Sequence, residues 1–281
     1  MKCFHHDDAD GWCSAAIIKR EYPDCEMIEC THGNAIDLSG VQSNERVFMV
    51  DYTFKPYLFD ELMNKTKNIV WIDHHKHVFA DEYKKFSHLE GIRCSIDAAC
   101  ELTWQYLHPD TMMPDAVKYI GDYDAWKHVY GKKTACFYSY VSVSLDKEFN
   151  DLNSPLWDSL LDVDKQADTV EWMMKEGRIY LDYRTKFCEQ YIKRHGFEVE
   201  FEGHKCLAVG IHFYGSATFG DKIDEYPLCI AFTANGENWS VGLYSKKVDV
   251  SEISAKYGGG GHSGAAGFVT KQLPFEVVKV D

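Results

Sequence analysis

The chain has 281 residues, and 30 lysines and arginines against 44 aspartates and glutamates give a formal net charge of −14. Apolar residues at 45% and charged residues at 26% exclude wholesale disorder or a fibrous repeat, and the length suits two domains or one large one. The acidity argues against a long duplex partner, which needs a basic stripe, but permits a small anionic substrate whose charge bound cations would offset.

In chain order, Lys2-Cys3-Phe4 reads as a strand that runs into the polar turn His5-His6-Asp7-Asp8-Ala9-Asp10-Gly11. A helical pattern follows, with Trp12, Ala15, Ala16, Ile17 and Ile18 at its apolar positions. Met27 to Cys30 and Arg46 to Val50 are further strands, the latter ending abruptly on Asp51. Tyr57 to Met63 is a helix, and Asn68 to Ile72 is another apolar strand ending on a carboxylate, Asp73, followed by His74 and His75. Ala98–Leu107 and Pro114–Ile120 read as helices, the second running into Gly121-Asp122-Tyr123-Asp124. The amphipathic stretch 164–194 holds one long helix or two. From Phe197 the texture turns to strands at 197–201, 206–211, 228–232 and 239–244, with a turn at Gly203-His204. The expected fold is α/β, with a parallel-sheet domain over 1–195 that includes the connector helix and a smaller α+β domain over 196–281.

No stretch approaches the roughly 18 uninterrupted apolar residues of a membrane span, and Met1 to His6 does not read as a signal peptide. The ten cysteines are scattered without a Cys-x-x-Cys pair, which suits reduced thiols in a cytoplasmic protein. No membrane partner is expected.

Ligands of open α/β sheets bind outside the carboxyl ends of the strands, and the ionisable residues collect there. His6, Asp8 and Asp10 follow the first strand, Asp51 ends another, Asp73, His74 and His75 end a third, and Asp122 adds a further carboxylate. Any one of these alone reads as a helix cap or a solvated turn. Together they would repel one another strongly unless divalent cations joined them. Mixed carboxylate and imidazole donors suit Mn²⁺ first, with Mg²⁺, Fe²⁺ and Co²⁺ as alternatives. The second constellation is Tyr257 to Gly267. Its glycines, Gly259, Gly260 and Gly261 among them, let backbone N–H groups approach an anion, and His262 and Ser263 add side-chain donors.

These motifs resemble the DHH phosphoesterase superfamily. His6-x-Asp8-x-Asp10-Gly11, Asp51, Asp73-His74-His75 and Asp122 look like its four motifs, and Gly258 to Phe268 looks like the hallmark of its DHHA1 companion domain. The resemblance spans nearly the whole chain and is nearest to the RecJ-like and nanoRNase branch. It implies a DHH domain and a DHHA1 domain, with the active site in the cleft between them. By motif, His6, Asp8 and Asp51 would hold one cation, and Asp10, Asp51, His74 and Asp122 a second. His75 would face the substrate phosphate or the leaving oxygen, Asp73 would orient the histidines, and His262 with its glycines would clamp the phosphate. Two departures stand out. Phe4 occupies the place where many members carry the first histidine, which makes His6 the ligand with His5 as its rival. Tyr244 stands where nanoRNase-type members carry an arginine, so that Lys246 or Lys247 compensates, a base stacks on Tyr244, or the tyrosine has no role. The implied activity is a two-metal phosphodiesterase acting on a short oligonucleotide or a small phosphorylated nucleotide. A nucleotide phosphatase, an exopolyphosphatase and a non-catalytic nucleotide-binding regulator are the alternatives.

Overall fold

Strand β1 (Lys2–His6) opens a parallel sheet of order β2–β1–β3–β4, with β2 at Glu26–Cys30, β3 at Val47–Val50 and β4 at Ile69–Ile72. The structure, a computed structural model, describes residues 1–31 and 33–275. β3 and β4 read Val-Phe-Met-Val and Ile-Val-Trp-Ile and are buried at every position. Such apolar runs are what parallel strands need when both faces of the sheet are covered. On one face Phe4, Met49 and Trp71 pack with Phe59 and Leu62 of α2 (Pro56–Lys65). On the other, Cys3, Phe48, Val50, Val70 and Ile72 cluster with Ile18 of α1 (Ala9–Glu21) and Leu102 of α3 (Ala99–Leu107).

A helical layer joins α1 and α3 to α4 (Asp115–Asp124), α5 (Lys132–Ser144), α6 (Pro155–Leu160) and the start of α7 (Gln166–His195), through Trp12, Trp104, Ile120, Phe137, Trp157 and Met173. The sequence reading did not anticipate α5 and α6. The α5 sequence is rich in Thr, Ser, Tyr and Val, which are weak helix formers, and its helix rests on the buried Phe137, Tyr140 and Val141. The 164–194 stretch resolves as one helix of 30 residues.

The strand order contains a switch. The chain leaves β1 to one side for β2 and returns on the other side for β3. The loops after β1 and β3 therefore diverge and open a crevice at the carboxyl edge of the sheet. That crevice receives the site.

The chain divides into two compact units, Met1–Leu181 and Asp182–Asp281, a division that falls within α7, ahead of the domain boundary expected near 195. The second unit carries a six-stranded mixed sheet of order β5–β6–β7–β8–β10–β9. Its strands are β5 (Phe197–Phe201), β6 (His204–Val209), β7 (Leu228–Asn235), β8 (Asn238–Tyr244), β9 (Gly260–Gly261) and β10 (Ala265–Thr270), with the short α8 (Lys222–Glu225) and α9 (Val250–Lys256) between them. β6 and β7 pair in parallel and the other neighbours pair antiparallel. Val199, Cys206, Ile230, Leu243, Ile253 and Phe268 form its core. Among the described residues, no helix is long and apolar enough to cross a membrane.

Candidate metal centre

The chain leaves β1 and enters α1 within two residues. Asp8 caps the helix, accepting the Gly11 N–H on Oδ1 at 2.9 Å, while its Oδ2 lies 2.7 Å from His6 Nδ1. The other nitrogen of His6 is 3.3 Å from Asp7, and Asp7 accepts the Thr31 hydroxyl at 2.7 Å. A Cβ on Gly11 would stand 2.3 Å from the His6 carbonyl oxygen, so only glycine lets the helix start this close to the strand. Asp10 turns toward α3 and accepts the N–H groups of Ala99 and Cys100 at 2.9 and 2.8 Å. A helix N-terminus favours the negative charge placed there.

Asp51, just past β3, adopts a left-handed conformation with φ +54°, which aspartate tolerates better than most residues. The carboxylate is buried, and neither oxygen meets a hydrogen-bond donor among the described residues. Its oxygens lie 3.8 Å from His6 Nδ1, 3.3 Å from His74 Nε2 and 3.9 Å from His75 Nδ1. Burial, reinforced by the charges of Asp10, Asp8, Asp124 and Asp73, pushes its carboxyl well above the usual carboxylate range.

At the end of β4, Asp73 is fully buried and works inward. It accepts the N–H groups of His74 and His75 at 2.6 and 2.9 Å, His75 Nδ1–H at 2.7 Å, and the Thr53 hydroxyl. Thr53 is itself fixed by the Trp71 indole N–H at 3.0 Å. Against the cost of burial, the hydrogen bond and charge of His75 hold Asp73 well below the usual carboxylate range. His75 is raised in return: burial opposes its charge, and the bond to Asp73 outweighs that. His74 Nε2 sits 3.2 Å from Asp124, 3.3 Å from Asp51 and 3.7 Å from Asp10, and burial lowers its pKa. Around His6, Asp8 shows the same balance. Burial raises it, but the bond and charge of His6 bring it down to about 2.

One expected ligand is displaced. Asp122 does not join this cluster. Its carboxylate accepts the Val129 N–H at 2.7 Å, the Tyr130 N–H at 3.4 Å and the Thr134 hydroxyl, holding the start of α5. Asp124 takes the place beside His74 instead. The two residues are neighbours on one helix but about 200° apart around its axis. Asp124 continues the stripe of Val117 and Ile120, both buried in the helical layer. That helical phase was the available signal in the sequence. The two histidines of the first motif differ in their surroundings. His5 is buried with its ring against the His6 carbonyl oxygen at 2.9 Å, whereas His6 faces Asp8 and Asp51.

The site residues form three groups in which every donor atom lies within 4.8 Å of the others: His6, Asp8 and Asp51; Asp10, His74 and Asp124; and Asp51, His74 and His75. A buried carboxylate without donors costs several kcal/mol unless something positive meets it, on the order of what charge burial exacts in proteins. Asp51 has both oxygens in that condition and is shared by two groups. The donor set is oxygen and imidazole nitrogen, which fits Mn²⁺, Fe²⁺ or Mg²⁺.

In the second unit, the glycines have local reasons to be there. A Cβ on Gly259 would stand 2.1 Å from the Gly267 carbonyl oxygen, and Gly261 has φ +138°. Gly260 and Gly261 pair with Gly267 and Ala266, and His262 closes the turn, its N–H donating to the Ala265 carbonyl at 2.8 Å. Ser263 accepts the Val250 N–H at 2.9 Å through its carbonyl. Tyr244 is buried on β8, its ring 5.9 Å from Phe219.

No family model matches the chain. An uncharacterized protein of Acanthamoeba polyphaga mimivirus is 26% identical over 253 residues, which is 84% of this chain and 56% of that protein, so the chain spans little more than half of the curated relative's length. Among solved structures, the pGpG-specific phosphodiesterase PggH from Vibrio cholerae is similar with a TM-score of 0.55 and 13% identity, over 95% of this chain and 92% of that one. The DHH domain of a protein assigned to a family of ribosomal proteins is similar with a TM-score of 0.59 and 14% identity, over 95% of this chain and 81% of that one. The parallel sheet, the switch between β1 and β3 and these two likenesses lead to one conclusion: the chain shares the fold of that DHH domain and of the pGpG phosphodiesterase.

Proposed function

We propose that the chain is a metal-dependent phosphoesterase that hydrolyses the phosphodiester of a short oligonucleotide or small nucleotide with two divalent cations, Mn²⁺ foremost. The observation that carries this reading is Asp51, whose two buried oxygens lack donors and which groups with the His6–Asp8 pair on one side and with His74 and His75 on the other, His74 also belonging to a set with Asp10 and Asp124. His6, Asp8 and Asp51 would hold one cation, and Asp10, Asp51, His74 and Asp124 the other. When bound, such a pair supplies an activated water and neutralises phosphoryl oxygens during in-line attack.

The chain's own residues would do the rest. Asp73 fixes the Nδ1 proton of His75 and turns the ring, as carboxylates do beside metal-site histidines. His75, held above its ordinary pKa, then keeps a proton to offer a phosphate oxygen or the leaving oxygen. Asp7 orients His6 in the same manner through Nε2. The likeness to a phosphodiesterase specific for the dinucleotide pGpG supports a dinucleotide-sized substrate.

The test is hydrolysis of a 5′-phosphorylated dinucleotide, pAp and polyphosphate by the purified chain with Mn²⁺ or Mg²⁺. Dinucleotide cleavage abolished by a chelator is the expected result. Turnover of pAp or polyphosphate alone would move the activity to monoesters or anhydrides, and no turnover of any of them would overturn the proposal.

A further inference from the structure

Asp122, displaced from the metal cluster, organises something else. Its carbonyl oxygen accepts the N–H groups of Lys127 and His128 at 3.0 and 3.4 Å, and its carboxylate accepts those of Val129 and Tyr130. Lys127 is further anchored to Asp97 at 2.9 Å and to Glu101 at 2.6 Å. The loop between α4 and α5 is thus tied down at nearly every residue. Within it Trp126 and His128 both lie in the left-handed region, with φ +56° and +53°. For a residue as bulky as tryptophan this is a genuine outlier, and such strain persists only where the surroundings enforce it.

Core packing does not account for that strain. Tyr119 and Phe137 fill the core beneath the loop, while the Trp126 indole is half-buried and His128 is exposed. The rings instead touch one another in a chain of contacts that runs through the exposed His128. Trp126 meets His128 edge to face at 5.3 Å, and His128 meets Tyr123 edge to face at 6.5 Å. Tyr123 lies flat on Tyr138, with centroids 3.4 Å apart and planes within 10°. Tyr123 directly precedes Asp124, so this chain of rings begins one residue from the metal cluster.

We infer that the Tyr123–Trp126–His128 surface is a platform on which the substrate's nucleobase stacks, which makes the substrate a base-bearing nucleotide rather than a polyphosphate. The inference rests on the phosphoesterase reading and specifies its substrate. Aromatic faces suit any base, because every base offers a π-face, so the platform selects for a base without selecting which one. Asp122 acts as a positioning residue through the loop it holds.

The experiment compares kcat/KM for 5′-phosphorylated diadenylate and for the same molecule with its bases removed, in the full chain with Mn²⁺. We expect a preference of about tenfold or more for the base-bearing form, of the size stacking supplies. In Trp126→Gly and His128→Ala that preference should fall toward unity, mainly through KM. Glycine suits the left-handed position, so an unchanged or raised thermal midpoint of Trp126→Gly would separate lost binding from lost folding. Equal kcat/KM for the two molecules in the unaltered chain, or an undiminished preference in both variants, would overturn the platform. Absence of turnover on every phosphoester would instead overturn the phosphoesterase reading. The platform would then be read by binding alone: diadenylate should quench tryptophan fluorescence in the unaltered chain and not in Trp126→Gly, and no quench would overturn it as well.

Discussion

Two aspartates, two positions apart on α4, show how residue type alone falls short of a role. Asp122 and Asp124 are indistinguishable as donors, yet the first closes a loop and the second faces His74. Substitution separates them. Asp122→Ala leaves two N–H groups and a hydroxyl without their acceptor and should cost about 2–4 kcal/mol in chemical unfolding. Asp124→Ala removes a source of repulsion and should leave the metal-free chain as stable or more so, while weakening metal uptake. A large stability loss in Asp124→Ala, with none in Asp122→Ala, would reverse the assignment. His6, Asp8, Asp10, Asp51, His74 and His75, which the structure brings together, were legible in the sequence as candidates because each stands at a strand end or one turn beyond it. The left-handed Asp51 was not legible, since nothing in the sequence Val50-Asp51-Tyr52 marks a positive φ.

At the scale of elements, the site follows from strands that stop on carboxylates and helices that start on them. The apolar runs of β3 and β4 announced themselves as buried parallel strands, and their terminal aspartates announced the crevice. α5 did not announce itself, because its weak helix formers are held by burial rather than by propensity. The joint between β1 and α1 depends on Gly11. Gly11→Ala forces a methyl against the His6 carbonyl, so helix and strand must part. We expect a loss of about 1–3 kcal/mol from overpacking, together with a fall in activity as Asp8 and Asp10 shift. Full activity and an unchanged unfolding midpoint in that variant would show that the joint has slack.

Across the whole molecule, the excess of acid over base acquires a location. Asp8, Asp10, Asp51 and Asp124 draw four carboxylates into one crevice, and the charges of the others help push Asp51 and Asp124 upward after burial. His6 is raised too, because Asp8 outweighs the cost of its burial. In the metal-free chain Asp51, Asp124 and His6 therefore hold their protons to a higher pH than free side chains would. Cations must displace those protons, so affinity should rise with pH until the groups are deprotonated. The measurement that bears most directly on the centre is a calorimetric titration of the metal-stripped chain with Mn²⁺, run at several pH values and repeated with Asp51→Asn. Asparagine keeps the shape and the left-handed conformation but removes the shared charge. We predict uptake of two ions per chain with release of protons, tightening as pH rises, and loss of at least one ion in Asp51→Asn. Uptake without proton release, or the same stoichiometry and affinity in Asp51→Asn, would contradict a centre built around that carboxylate.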